Sequence, residues 1–328
     1  MIRAEKPFLV LELFEGPYRN ERLLASPATT LYDYRRAIRL FSQYLERPAV
    51  VFDLEKQTLL DFRRWRIESG PRHRRGTTTG RRSIAKTAPP PLSFATVNKD
   101  LRVLAALAKY AFDESFIAAA PRKTTALTEP KRQPEGYHID DIMRLLDACA
   151  KTPGEIVGLP AGMFWWSLFS AVYDTGLRRT TLFTRTYADL NFATARIKCV
   201  AESQKQRADQ TRELHPDTMT VLARMREFGH ELIWPWPHVH NTFYKAVRKI
   251  RARAGLRRMP KKPVHGLRSS HATYLFDKFG LDAARDACGH SSAQVTERHY
   301  IDRTLLTDQP GARSLPRPEA FPLDAIDA

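Results

Sequence analysis

Near the end of the chain, the segment CGHSSAQVTERHYID (Cys288 to Asp302) places two histidines and a tyrosine in one short polar stretch. Three chemistries are open to it: a metal site, a buried tyrosine closing a helix, or a phenol nucleophile flanked by imidazole. The metal reading fails on ligand number, because His290 and His299 have no third donor at a useful spacing. Three segments upstream hold the residue types that a nucleophilic phenol needs around it. DTGLRRTTL sets Arg178 directly after an apolar run and a glycine, and ESQKQRADQTREL carries Lys205 in a polar turn. HGLRSSHAT puts His265 and Arg268 three residues apart, on one face of a helix start. Taken singly, each has an ordinary reading: a solvated Arg178–Arg179 pair, a surface turn at Lys205, a capping His265, an ion-paired Arg268, a packing Tyr300. What carries weight is the set and its order along the chain.

Charge points to a class of partner. The 328 residues hold 53 Lys and Arg against 36 Asp and Glu, a net charge of +17. A surplus of this size attracts polyanions, of which nucleic acid is the commonest. With 43% hydrophobic residues and no run approaching a membrane span, the composition is that of a soluble globular protein with room for two cores. The N-terminal stretch carries acids among its apolar residues and no small-residue cleavage site, so no secretory signal is expected. Cys149, Cys199 and Cys288 are odd in number and far apart, which reads as thiols in a reducing cytoplasm.

The elements that must position the six residues are mostly helical. Ser26-Pro27 reads as a cap with proline at the first helical position, followed by Leu31, Tyr34, Ile38, Phe41 and Leu45 on one face. Further helices are expected over residues 54–67 and 96–112, separated by a basic loop. Residues 121–138, with three prolines and no apolar period, read as a linker. Beyond it the pattern predicts helices at 140–150, 163–173, 241–254, 265–279, 281–287 and 292–300, with two short strands at 195–203 and 211–216. The expected architecture is mainly α with a small β-sheet (α+β). It comprises a helical domain over 1–120, the linker 121–138, a second domain over 139–308 and a tail over 309–328. Ser291 and Gln294 fit a capping box, which would start a helix straight after His290. Ten residues of helix span ~15 Å, so His290 and Tyr300 are expected to converge on a third object and not on each other.

The ordered set Arg…Lys…His-x-x-Arg…His…Tyr, with the phrases TGLR (175–178), HGLRSSHAT (265–273) and GHSS followed by Tyr300, resembles the tyrosine recombinase (phage integrase) family. The resemblance covers about 140–305 and, more loosely, the first helical part, which looks like the family's core-binding domain. It implies a site-specific recombinase of mobile genetic elements that cleaves and rejoins DNA through a 3′-phosphotyrosine. Arg178 and Arg268 would clamp the phosphate, and Lys205 would protonate the departing 5′-oxygen. His265 would assist proton transfer, His290 would donate to the phosphate, and Tyr300 would be the nucleophile. It implies no metal or other cofactor, because the phosphotyrosine conserves the bond energy. The implied partners are double-stranded DNA, further copies of the chain (a dimer per site, a tetramer in synapsis) and accessory DNA-bending proteins, without a membrane. One position departs from the pattern: Thr181 stands where the family usually has an acid, and Asp174 is a candidate substitute.

Two basic stretches supply candidate phosphate contacts: Arg63, Arg64, Arg74, Arg75, Arg81 and Arg82 in one, Lys245, Arg248, Lys249 and Arg251 in the other. WPWPHVHN (234–241) offers only two histidines and reads as a structural loop. Two other functions use the same features. A type IB topoisomerase would relax supercoils with the same chemistry, and a non-catalytic DNA-binding protein would keep the scaffold alone.

Overall fold

The computed structural model describes residues 8–69, 92–130, 132–200, 209–238, 240–256, 260–290 and 292–306. Lys205, Arg74, Arg75, Arg81, Arg82, Ser291 and the tail from 307 lie outside them. The chain divides after Lys131 into two compact units.

The first unit is helical. Helices α1 (Val10–Leu13) and α2 (Arg19–Arg22) are joined by a π-helical turn, Phe14–Tyr18, whose Gly16 leaves helical backbone geometry just before Pro17. Proline cannot supply an amide to the ladder, and the wider turn absorbs that loss. Then come α3 (Ala28–Tyr44), α4 (Lys56–Ser69) and α5 (Phe94–Asp113). Helix α3 starts one residue later than its sequence suggests. Pro27 is itself the cap, and its carbonyl accepts from Thr30 and Leu31. The expected apolar stripe does face the core, which packs Phe14, Phe41, Phe62 and Leu104 together. Each such buried side chain contributes roughly 1.5–3 kcal/mol. Asp100 on α5 is buried between Arg66 of α4, 3.0 Å away, and Arg36 of α3, which ties the three helices together.

Residues assigned to the linker belong in part to this unit. Asn98 of α5 donates to the Leu127 carbonyl and Glu129 carboxylate, and accepts from the Leu127 amide, each at 2.9 Å.

The second unit begins with α6 (Ile139–Ala150) and a short hairpin, β1 (Glu155–Ile156) with β2 (Leu159–Pro160), which the sequence did not announce. Helix α7 (Ala161–Thr175) is buried along most of its length and stops at Gly176, whose φ of 62° is the left-handed conformation that ends helices. A Cβ there would lie 2.5 Å from the His271 ring, so the position requires glycine twice over. Helix α8 (Arg179–Leu182) follows, then an antiparallel sheet of β3 (Leu190–Asn191), β4 (Arg196–Cys199) and β5 (Gln210–Glu213), with Ile197 opposite Arg212. The second strand was expected to run to 216. It stops at Glu213, and α9 (Pro216–Arg226) starts with His215 as cap and proline in the first turn. Helix α10 is His240–Ala254. Helix α11 (Pro263–Cys288) is broken at Gly280 (φ 86°), where two helices were expected to meet, and α12 is Ala293–Tyr300. Trp234, fully buried, donates to the Ser167 hydroxyl at 3.0 Å and anchors the WPWPHVHN loop. No helix among the described residues is long and apolar enough to cross a membrane.

Candidate active site

Helix ends and turns deliver the site. Arg178 caps the start of α8 just beyond the Gly176 stop, His265 and Arg268 come from the first turns of α11, His290 follows its end, and Tyr300 closes α12. The sequence spacing between these residues is large, but the packing of α11 against α7 and α12 closes it.

Five of the six predicted residues meet around the Tyr300 ring. The His290 ring lies 4.3 Å from it between centroids and the His265 ring 5.1 Å, and the Arg268 guanidinium sits 4.9 Å from its centre. Arg178 stands close enough to the phenol for the two groups to interact electrostatically. The sixth, Lys205, lies outside the described residues; β4 and β5 flank the segment that carries it.

The stacking of His290 on Tyr300 corrects the expectation that the two stand a helix length apart. Helix α12 has eight residues, and its cap is Ser292, not Ser291; the Ser292 hydroxyl accepts the Val295 amide at 3.3 Å. A side chain at the end of a helix leans back toward its N-terminus, so Tyr300 leans toward Thr296. His290 reaches forward to that same residue and bonds its hydroxyl at 2.8 Å. The rings therefore meet midway.

Arg268 is 2% exposed and fully engaged on one side. It donates to the Gly176 carbonyl, to the Cys288 carbonyl at 2.9 Å and to His290 Nε2 at 2.7 Å. A guanidinium only donates, so Nε2 accepts, and His290 carries its proton on Nδ1. Burial, with Arg268 and Arg178 beside it, pushes the His290 pKa down to about 3. In the free protein His290 is thus a neutral ring that orients Arg268, and it does not present a donor toward a phosphate. His265 shows an edge to solvent, yet desolvation of its body and the nearby Arg268 and Lys262 lower its pKa to about 4. Burial and the like charge of Arg268 also lower the Arg178 pKa.

Residues not singled out from the sequence complete the frame. His271 donates from Nδ1 to the Tyr173 carbonyl at 2.7 Å, and its pKa falls to about 4, mainly by burial. Arg212 of β5 reaches the Asp286 carbonyl at 2.9 Å, and neighbouring Gln210 packs on Gly289, so the sheet braces the turn that precedes His290. Arg179 turns away from Arg178 into an aromatic cage, 4.5 Å from Phe243, 5.2 Å from Tyr244 and 5.4 Å from Phe183. Thr181 is buried. Asp174 does not take the place of an acid there: its carboxylate accepts from the Thr218 hydroxyl (2.7 Å) and the His215 amide (3.1 Å), which fastens the start of α9.

The basic candidates divide. Lys245, Arg248 and Lys249 are exposed at helical spacing on α10, and Arg64 is exposed on α4. Arg63 instead donates to the Thr125 carbonyl at 2.8 Å. Arg251 is partly buried, with an Nε that finds no hydrogen-bond partner among the described residues.

A helical unit followed by a helical unit with a small sheet and an Arg–His–Arg–His cluster around a tyrosine defines a class of phosphoryl-transfer protein. The model of the phage integrase family matches residues 138–305, just over half of the chain, and the chain belongs to that family. Among curated relatives, a tyrosine recombinase XerD of Listeria monocytogenes serotype 4b (strain F2365) is 21% identical over 299 residues, covering 86% of this chain and 91% of the relative. Among solved structures, a lambda integrase dimer bound to a COC′ core site superposes with a TM-score of 0.65 at 18% identity, covering 94% of this chain and 81% of that one. The Tn1549 transposon integrase in complex with transposon right end DNA gives 0.65 at 14% identity, covering 98% and 100%. These likenesses establish the fold.

Proposed function

We propose that the protein is a site-specific DNA recombinase of the tyrosine class. One observation carries the reading: Arg268, His265 and His290 surround the Tyr300 ring, and Arg178 interacts electrostatically with the same phenol. A scissile phosphate entering here would meet Arg178 and the Nε of Arg268, which has no hydrogen-bond partner among the described residues. The phenol oxygen attacks phosphorus, the bond to the 5′-oxygen breaks, and the 3′-phosphate remains on Tyr300. Neutral His265 takes up the phenolic proton, and Lys205 gives one to the leaving 5′-oxygen. His290 holds Arg268 in place through Nε2. Religation runs the same steps backward, with a 5′-hydroxyl as nucleophile.

Lambda integrase in solved structures is a dimer on a core site and a tetramer on a Holliday junction, which supports double-stranded DNA and further copies of this chain as partners. The exposed Lys245, Arg248 and Lys249 are the phosphate contacts on α10. The setting is the cytoplasm, where DNA is at hand and the three buried cysteines, none in a disulfide, stay reduced.

The test is a nicked cognate duplex that traps the covalent intermediate. Wild type should yield a 3′-phosphotyrosyl adduct, and Tyr300→Phe should yield none while binding DNA normally. An adduct from Tyr300→Phe would overturn the assignment of the nucleophile.

A further inference from the structure

Two residues beyond Tyr300 the chain buries a carboxylate completely. Asp302 is 0% exposed, and its two oxygens are used in different directions. Oδ1 accepts from the Thr304 amide (3.1 Å) and hydroxyl (2.7 Å), which shapes the turn after the helix. Oδ2 accepts the backbone amide of Gly136 at 2.8 Å, across 166 residues of sequence.

Gly136 belongs to the last stretch of chain before α6, and that stretch is fixed on every side. The Tyr137 amide donates to the Ser270 hydroxyl at 2.7 Å, and the Tyr137 carbonyl accepts from the Tyr274 hydroxyl at 3.2 Å. A Cβ on Gly136 would stand 2.7 Å from the Leu305 side-chain end and 3.1 Å from the Ser270 hydroxyl, so a side chain there would press on both. On the tyrosine's side, the Asp302 amide donates to the Thr273 hydroxyl at 2.9 Å, and that hydroxyl lies 3.2 Å from the Tyr300 carbonyl. The backbone that follows the nucleophile is therefore held by α11 and by the chain that enters from the linker.

We propose that Asp302 is a positioning residue: it latches the segment carrying Tyr300 to the linker root at Gly136, so that the attacking oxygen is aimed only while that root is seated. The inference rests on Tyr300 being the nucleophile. Asp302 touches no reacting atom, and its carboxylate accepts from the Gly136 amide and from the Thr304 amide and hydroxyl. Its effect should therefore fall on the alignment of the phenol and not on DNA affinity.

The experiment compares single-turnover adduct formation on the nicked duplex with DNA binding by gel shift, using the full chain. Asp302→Ala should bind within about twofold of wild type and form adduct at least tenfold more slowly. Asp302→Asn, which keeps an acceptor, should recover most of that loss. A duplex with sulfur in place of the 5′-bridging oxygen leaves without needing a proton, and the Asp302→Ala defect should persist on it, because the fault lies with the nucleophile. Gly136→Ala unseats the root without altering any residue around Tyr300. It should slow cleavage in the same sense, and the double variant should be no slower than the slower single. Cleavage by Asp302→Ala within threefold of wild type overturns the proposal. So does a loss shared equally with DNA binding, full repair by the sulfur substrate, or independent, multiplying effects of the two changes. Tyr300→Phe is run alongside, and an adduct from it would show instead that the nucleophile has been misassigned.

Discussion

Arg268 donates from Nη2 to His290 Nε2 at 2.7 Å, and this one direction of donation fixes the tautomer of the imidazole. The Nδ1 proton then has a single buried acceptor, the Thr296 hydroxyl at 2.8 Å. Thr296→Val keeps the shape and removes that acceptor. Stranding a buried donor costs about 1–3 kcal/mol, so adduct formation at saturating DNA should fall about ten- to a hundredfold with unchanged affinity. Single-turnover rates at several DNA concentrations check this, and a wild-type rate would show that Thr296 does not orient the ring.

Arg268→Lys is not a conservative change here. One ammonium cannot serve the Gly176 and Cys288 carbonyls, His290 and a phosphate together. Loss of a preorganised donor of this kind lowers rates about a hundred- to a thousandfold. The same loss is expected for Arg178→Lys, measured as the rate of adduct formation with bound DNA in excess.

Arg179 tests whether the pair of adjacent arginines has divided its labour. In the cage of Phe183, Phe243 and Tyr244 its contribution is that of a desolvated cation on aromatic faces, about 2 kcal/mol. Arg179→Met retains the stem and removes the charge, so the free energy of unfolding from denaturant titration should drop by about that amount. A drop in DNA affinity without loss of stability would mean that Arg179 is a phosphate contact instead.

Stability should depend on pH through His271. Its folded pKa, about 4, lies below the ordinary value of 6.5. The unfolded chain therefore takes up a proton first as pH falls. The contribution of His271 is complete above 6.5, declines between 6.5 and 4, and levels off below. The full effect is up to about 3 kcal/mol. Thermal midpoints from pH 7.5 to 4 should show a shallower slope in His271→Gln than in wild type.

The exposed trio on α10 should act on affinity alone. Lys245→Gln, Arg248→Gln and Lys249→Gln combined remove up to three phosphate contacts, and the slope of log affinity against log salt should lessen by about 0.9 for each. The cleavage rate at saturating DNA should stay within twofold of wild type.

What the sequence conveyed about the site was residue type and order. HGLRSSHAT announced His265 and Arg268 as chemistry, but Ser269, Ser270, His271 and Thr273 just after them look like surface by composition and are all buried. Their partners are the Tyr137 backbone, the Tyr173 carbonyl and the segment after Tyr300, contacts that no local spacing encodes. Asp302 escaped notice for that reason, since its partner Gly136 is fixed by tertiary packing alone. The helices with a clear apolar period, α3, α5 and α6, were legible. Helix α9 was not, although Pro216 after His215 was a usable start signal. The meeting of His290 with Tyr300 was misjudged because a helix length is a distance between backbones, and these two side chains lean toward each other.

The grip of Asn98 on Leu127 and Glu129 has a consequence for how the two units share a substrate. Eighteen residues looked free to act as a linker, but the chain is claimed by one unit as far as Glu129 and by the other from Glu135, whose carboxylate accepts the Lys261 amide at 2.7 Å. Five residues, Pro130 to Pro134, remain between the anchors. A tether that short sets an effective concentration on the order of millimolar, so once one unit has engaged a duplex, the other reaches it almost without a search.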